Sequence, residues 1–184
     1  MAFYPKNRED KKMRLLRERG DGFDEVYALM KESFPKSELR DEGAAREILE
    51  NRTYRLYRIT EGGEFIGFLG VWRLPEFLFI EHFATRPELR GKGYGKRALV
   101  SLFKLYESAV LEVEPPDNEL TSRRIAFYER CGFHLSREEY YQPPYREDGE
   151  PVRLMLMSYP HPIVRHAEVA SSLYRKVYGI KTIT

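Results

Sequence analysis

Apolar side chains recur along this chain with two different periods, and the switch between them outlines its elements. Residues 13–17 alternate apolar and charged side chains weakly, as a short first strand does. From Phe23 the apolar positions Phe23, Val26, Tyr27, Met30 and Phe34 fall at helical spacing, with Asp21 or Gly22 placed to cap that helix and Pro35 to stop it. A second, short and highly charged helix is expected over residues 41–50, with Ala45, Ile48 and Leu49 on its apolar side. Residues 54–60 and 64–74 are rich in aromatic and branched side chains and are separated by Glu61, Gly62 and Gly63, which predicts a hairpin. Residues 77–85 resume the pattern after Pro75 and Glu76, so an antiparallel meander precedes any long helix in this half.

The period then changes from two to 3.6. Ala98, Leu99, Leu102, Phe103, Leu105, Tyr106 and Ala109 surround most of a helix expected over residues 93–108, which should pack on the sheet. Residues 110–113 form a short apolar strand that can pair parallel to the strand ending at Thr85, because a helix connects them. Asp117 can cap a further helix running to Cys131, where Gly132 suits a left-handed terminator and Phe133 its packing residue. Two late strands are expected over residues 133–141 and 152–158. An amphipathic helix follows, defined by Ile163, Ala167, Ala170, Tyr174 and Val177.

Composition narrows the class. The 184 residues suit one domain with a real core, and a 42% hydrophobic share with 14% aromatics argues for a compact globule. The 31 basic and 29 acidic side chains nearly balance, so charge gives no argument for a nucleic-acid partner. Cys131 is the only cysteine, which excludes an internal disulfide, and the histidines at 82, 134, 161 and 166 lack metal-ligand spacing, so no metal site is expected. The charged start contains no signal-peptide apolar region and no apolar run is long enough to span a bilayer, which points to a cytoplasmic protein.

The chemistry lies between the strand ending at Thr85 and the next helix. Residues 91–95 hold three glycines, which let several backbone N–H groups converge on one point, and the helix N-terminus adds its free donors and positive dipole end. Arg90, Lys92 and Lys96 supply full charges nearby, so the loop suits a pyrophosphate. A glycine-rich turn with solvated cations explains the same residues. A Walker loop is excluded, because it needs Gly where Arg90 stands and Ser or Thr where Arg97 stands. Gly93, Gly95 and Ala98 fit the dinucleotide pattern G-x-G-x-x-A. That loop, however, follows its strand at once in a parallel sheet, whereas here residues 86–90 with Pro87 intervene after antiparallel hairpins.

Arg90, Gly93 and Gly95 resemble the Q/R-x-x-G-x-G/A loop of the GNAT superfamily of N-acetyltransferases, and residues 85–89 resemble that family's approach from its fourth strand. Downstream, Ala126, Tyr128, Glu129, Gly132 and Phe133 lie in a segment similar to the family's helix-ending motif. The resemblance spans residues 13–158. It implies an α/β fold with a mixed, mostly antiparallel sheet of about six to seven strands flanked by helices, here with an extra C-terminal helix. In domain terms it implies a tail over residues 1–12, an acetyltransferase domain over 13–160, and a helix within 161–184 that packs on the domain or on a partner. It also implies acetyl-CoA as cofactor, held by Phe83, Ala84, Thr85, Arg90, Gly91, Lys92, Gly93, Tyr94, Gly95, Lys96 and Thr121. Thr121 stands where the family often has Asn, which leaves that contact open. Direct attack by an amine in a ternary complex would follow.

In similar enzymes a carboxylate or histidine nine residues before the motif arginine serves as general base, directly or through water, and Glu81 stands there. The period of two places Glu81 with Phe79, Phe83 and Thr85 on one strand face and Ile80, His82 and Ala84 on the other. A partly buried Glu among aromatics should have a raised pKa, which suits a base, although a strand carboxylate paired with an arginine is the simpler alternative. His82 competes from the other face. The resemblance gives Tyr128 the role of general acid towards the coenzyme sulfur; an ordinary helix-to-core tyrosine is the alternative. Cys131 has no paired base and reads as structural.

The acceptor side is expected along residues 33–40 and at the loop carrying Tyr140, Tyr141, Pro143, Pro144 and Tyr145, with Glu32, Glu38 or Glu42 available to attract a cationic amine. Gln142, Pro143, Pro144 and Tyr145 resemble a mark of a bacterial subgroup. The acceptor is therefore a small-molecule or peptide amine. Two rival readings stay open. One is a catalytically silent coenzyme-binding module that uses the terminal helix as a contact surface, as a homodimer would. The other is a toxin-like enzyme of aminoacyl-tRNA using Lys6, Arg8, Lys11, Lys12 and Arg14, charges that simple solvation also explains.

Overall fold

The computed structural model describes residues 12–145 and 149–180. Most of the expected tail, including Lys6, Arg8 and Lys11, lies outside the described residues. The chain runs β1 (Arg14–Glu18), α1 (Phe23–Ser33), α2 (Glu42–Glu47), β2 (Tyr54–Glu61), β3 (Glu64–Arg73), β4 (Leu78–Thr85), α3 (Tyr94–Leu102), β5 (Ala109–Val113), α4 (Glu119–Arg130), β6 (His134–Leu135), β7 (Tyr140–Gln142), β8 (Val152–Tyr159) and α5 (His166–Lys176). The strands form one mixed eight-stranded sheet in the order β1-β2-β3-β4-β5-β8-β6, with β7 paired to β8. Among the described residues only β4 and β5 pair in parallel, after the crossover through α3.

β3 explains the layering. It is buried along all but its two end residues, so both faces of the sheet must be covered. On one face Phe68 and Trp72 join Phe23 and Val26 of α1 and Leu173 of α5. On the other, Leu69 and Val71 meet Ala98, Leu99 and Leu102 of α3 and Ile125 and Tyr128 of α4. α5 thus packs on the core of its own chain.

Several local expectations change. α3 ends at Leu102, not near residue 108; Phe103, its C-cap, stacks on Tyr159 with ring centroids 3.8 Å apart, and Leu105 stays exposed. Asn118, not Asp117, caps α4: its side chain accepts from the Thr121 N–H at 2.9 Å, and Thr121 Oγ1 accepts from the Asn118 N–H at 3.2 Å. This reciprocal box needs a hydroxyl or carboxyl three residues after the cap, which Asn118 has. α4 ends as expected, on Gly132 at φ 92°, with Gly132 and Phe133 N–H groups bonded to the Glu129 and Tyr128 carbonyls. The strand expected over 133–141 is instead β6 and β7, since the polar residues 136–139 between them have no alternation to bury. On α5, Ala167 is exposed and the covered face runs through His166, Leu173 and Val177.

The sharpest departure is in β4. Gly70 pairs with His82 and Val71 with Ile80, so Glu81 is an extra residue, a bulge. The alternation slips there: Phe79, His82 and Ala84 oppose Trp72, Gly70 and Phe68 on one face, and Ile80 and Phe83 take the other. Glu81 and His82 therefore reach the same side of the sheet, contrary to the simple period of two.

β3 also approaches β4 closely at Gly67. A Cβ there would lie 2.2 Å from the Ala84 carbonyl oxygen and 2.8 Å from Thr85 Cα, both backbone atoms that cannot swing aside. Gly67→Ala is expected to cost about 1–3 kcal/mol, read as a lowered urea midpoint with an unchanged slope. A wild-type midpoint would show that β4 has room to move.

Candidate active site

The site begins where β4 and β5 part. They pair at Leu78↔Ala109, Phe79↔Val110 and Ile80↔Leu111 and not beyond. Residues 83–85 keep their ladder to β3 and leave the opposite backbone edge free. The gap opens into a cleft of about 1020 Å³, at the upper end of the usual size for a ligand site.

Glu81, Phe83, Ala84, Thr85, Arg90, Gly91, Gly93, Tyr94, Gly95, Lys96 and Tyr128 all line this cleft, so most of the predicted site residues meet there. Lys92 and Thr121 are not among its walls. Lys92 is exposed, and Thr121 is buried in the cap of α4, which takes up the hydroxyl expected to face the cofactor.

The glycine loop is conformationally suited to an anion. Gly91 and Gly93 have φ of 75° and 81°, where a side chain is strained, and open space lies beyond both. Gly93 caps α3 without a side-chain contact, and the first helical backbone bond is Arg97 N–H to the Gly93 carbonyl at 3.2 Å. The N–H groups of residues 94–96 thus sit at the open, positive end of the helix. Gly95 packs closely on α4: a Cβ there would lie 3.1 Å from the Phe127 ring, which would have to shift by a few tenths of an ångström. Arg97 is engaged elsewhere, paired with Glu61. Leu120, Arg123, Phe127 and Arg130 also line the cleft. Arg123 and Arg130, not among the expected site residues, fall on the stripe 120, 123, 127, 130 at helical spacing.

Tyr128 is buried, with its ring edge-on to Phe127 and Phe133. Burial pushes its hydroxyl up to about 12, against the opposing effect of Arg124, so it stays protonated at neutral pH. Its carbonyl accepts the Phe133 N–H, which ties the ring position to the helix terminator.

Two carboxylates stand at the fork, in opposite states. The Glu81 side chain is 0% exposed; Arg40 lies 2.8 Å from its Oε1, the Tyr145 hydroxyl donates to the same oxygen at 3.1 Å, and His82 Nδ1 is 3.6 Å from Oε2. Arg40 is itself stacked 4.5 Å over the Tyr145 ring. Burial raises the Glu81 pKa, but Arg40 and His82 outweigh it and hold the carboxyl well below the usual range. The expected raised value is thus overturned by a buried ion pair from residue 40, a partner remote in sequence.

Glu112 on β5 fits the sequence only as the acidic residue of the rejected dinucleotide pattern, not as a member of the acyltransferase site. It accepts hydrogen bonds from Tyr140 and, at 2.9 and 2.8 Å, from Tyr178. Burial pushes it up to about 8; the two tyrosine hydrogen bonds oppose that shift, and the charges of Glu81 and Glu38 add to it. Its visible signal was a lone acidic residue inside the apolar run 109–113.

On the acceptor side, Glu32, Ser33, Phe34 and Glu38 line the cleft, whereas Glu42 pairs with Arg46 at the surface. Tyr140 and Tyr145 are tied to the two carboxylates, and Tyr141 is exposed. The cleft carries charges of both signs: Arg90 and Lys96 flank the glycine loop, Arg123, Arg124 and Arg130 come from α4, and Glu32, Glu38, Glu81, Glu112 and Glu114 supply carboxyls, with Arg124 paired to Glu114.

A glycine-rich loop at a helix N-terminus thus stands at the mouth of a sheet fork, with Tyr128 and two glutamates in the same cleft. The chain belongs to the acetyltransferase (GNAT) family, whose sequence profile matches residues 23–133. A protein of Bacteroides thetaiotaomicron described as a GNAT-family acetyltransferase superposes with a TM-score of 0.84 at 35% identity, covering 92% of this chain and 99% of its own. YjbC of Bacillus subtilis, described as an acetyltransferase, is 29% identical over 109 residues, 58% of this chain and 55% of its own, so the chain spans about half the length of that relative. A Bacillus subtilis acetyltransferase crystallised in complex with CoA shares the fold at 17% identity, with a TM-score of 0.55 over 80% of this chain and 97% of its own. No helix among the described residues is long and apolar enough to cross a membrane.

The state of Glu112 has a measurable consequence. Between its ordinary value of 4.5 and about 8, the folded protein holds a proton that the unfolded chain has released, so stability falls as pH rises through that window. Glu112→Gln cannot ionise and should flatten the decline. Its Tm is expected to exceed that of the wild type near pH 8.5 and to differ little near pH 5; an equal shift at both would contradict the assignment. Arg40→Met, by contrast, leaves Glu81 buried without its partner and is expected to cost about 3–5 kcal/mol in denaturant unfolding.

Proposed function

We propose that this chain transfers an acetyl group from acetyl-CoA to a primary amine of a small molecule or peptide, by direct attack in a ternary complex. The observation that carries the reading is that one cleft joins the glycine cradle, the free edge of β4, Tyr128 and the high-affinity carboxylate Glu112. Family membership supports it.

The N–H groups heading α3 receive the pyrophosphate, with Arg90, Lys96, Arg123 and Arg130 neutralising it. The free backbone edge of residues 83–85 holds the acyl oxygen and the pantetheine amides. Glu112 takes the proton of the attacking amine: a carboxylate with a value near 8 is a far stronger base than one held down by Arg40. Glu81 was expected in that role; here it acts as a fixed negative charge that raises the proton affinity of Glu112. Tyr128 at about 12 is a weaker acid than a thiol, so its hydroxyl steadies the departing sulfur chiefly as a hydrogen-bond donor. A silent binding module using α5 as a free contact face finds no support, because α5 covers its own core.

Thiol release from acetyl-CoA, followed with spermidine, tyramine and a glycine-terminated tripeptide, tests the reading. Glu112→Gln is expected to lower kcat roughly 10²–10⁴-fold and Tyr128→Phe less, with the wild-type rate rising through a limb near pH 8. A larger loss in Glu81→Gln than in Glu112→Gln would return the base role to Glu81. Absence of thermal stabilisation by coenzyme A would remove the phosphate-loop assignment itself.

A further inference from the structure

Glu112 is held by parts of the chain that follow the family-matched residues 23–133. Tyr140 reaches it from β7, and Tyr178 from just past the end of α5. Behind Tyr178, Gln142 Nε2 donates to the phenol oxygen at 3.1 Å. In the ionised state of Glu112, the form that accepts a proton, counting hydrogens fixes the direction of this chain of bonds. A phenol has one hydrogen, and Tyr178 gives it to the carboxylate, which has none to return. The remaining lone pair on Tyr178 must then meet an N–H of Gln142, which turns the amide so that Oε1 is left over. That oxygen is buried and has no partner, in a residue 4% exposed that lines the cleft. Protonation of Glu112 would permit the reverse direction, with Gln142 Oε1 accepting from Tyr178. The charge of Glu112 and the orientation of Gln142 are thus linked.

α5 aims this group. Leu173 and Val177 anchor the helix in the core, and Tyr174 stacks on Tyr140 with centroids 5.6 Å apart, so both tyrosines that reach Glu112 belong to one packed unit. The Tyr178 N–H bonds the Leu173 carbonyl at 3.3 Å, closing the helix end. The titratable groups facing Glu112 are the Glu81 and Glu38 carboxylates and the Tyr140, Tyr145, Tyr174 and Tyr178 hydroxyls.

We propose that Tyr178 is a positioning residue for acyl transfer: it aims and stabilises the Glu112 carboxylate and, through Gln142, presents one unfilled acceptor to an N–H of the incoming amine. The proposal rests on the reading of Glu112 as the proton acceptor. It also selects nitrogen over oxygen acceptors, because a primary amine has hydrogens for both Glu112 and Gln142, whereas an alcohol has one.

The test compares Tyr178→Phe and Gln142→Leu with Glu112→Gln in two measurements. The first is kcat and KM against pH, using whichever of spermidine, tyramine and the tripeptide turns over fastest. The second is the carbon-13 NMR titration of the Glu112 carboxyl, identified by its loss in Glu112→Gln, which needs no acceptor. Loss of the Tyr178 hydroxyl removes a bond to the ionised form, so the limb and the titration midpoint should both move up by about one unit. That is roughly a tenfold loss at pH 7, recovered at high pH. Gln142→Leu should raise the amine KM several-fold and leave the acetyl-CoA KM unchanged. If the Tyr178→Phe limb and midpoint superimpose on the wild type while Glu112→Gln is inactive, the proposal fails and the base reading stands. A kcat loss equal at every pH marks a merely structural role and also overturns it, as does an unchanged amine KM in Gln142→Leu. Full activity of Glu112→Gln defeats both readings. Should Tyr178→Phe not fold, the NMR midpoint of Gln142→Leu decides: a smaller upward shift supports the chain of bonds, and no shift rejects it.

Discussion

The separation of β4 from β5 after Ile80 and Leu111 is the constraint on which the rest of this site depends. A parallel pair that stayed zipped would cover the backbone of residues 83–85 and leave no cleft. The bulge at Glu81 falls at the same point, where the ladder to β5 has just ended and the ladder to β3 slips by a residue. One irregularity thus opens the cleft and brings Glu81 and His82 to the same side of the sheet. The crossover through α3 then sets the glycine loop at the mouth of that opening.

The two glutamates at the fork show how sequence-remote partners decide chemistry. Both side chains are enclosed, and both have tyrosine hydroxyls as donors. Only Glu81 has a guanidinium and an imidazole beside it, and Glu112 feels instead the like charges of Glu81 and Glu38, which drives the two proton affinities apart. Tyrosine donors alone do not separate them; the neighbouring charges do.

Much of the architecture was legible because it is written in local pattern. The meander, the parallel return of β5, the Gly132 terminator and the glycine loop all follow from periodicity and turn chemistry. What was not legible depends on contacts between distant residues. The bulge cannot be read from residues 77–85, since alternation looks unbroken there until β3 imposes its register. The cap was misplaced by one residue because Asp117 and Asn118 both cap well, and Thr121 decides between them only as a reciprocal partner. Glu112 looked like an isolated charge in a short apolar strand until Tyr140 and Tyr178 were brought to it. The same contacts separate Thr121, which the cap engages, from the residues that line the cleft.

The charges of the cleft bear on the order of events in the proposed reaction. An ammonium group entering it moves towards the carboxylates Glu32 and Glu38 that line it. Once acylated, the same nitrogen is a neutral amide and no longer feels that attraction. The spent coenzyme would keep its phosphates and the attraction of Arg90 and Lys96. On the proposed function, the charges that draw the acceptor in therefore hold its product less tightly than they hold the acceptor.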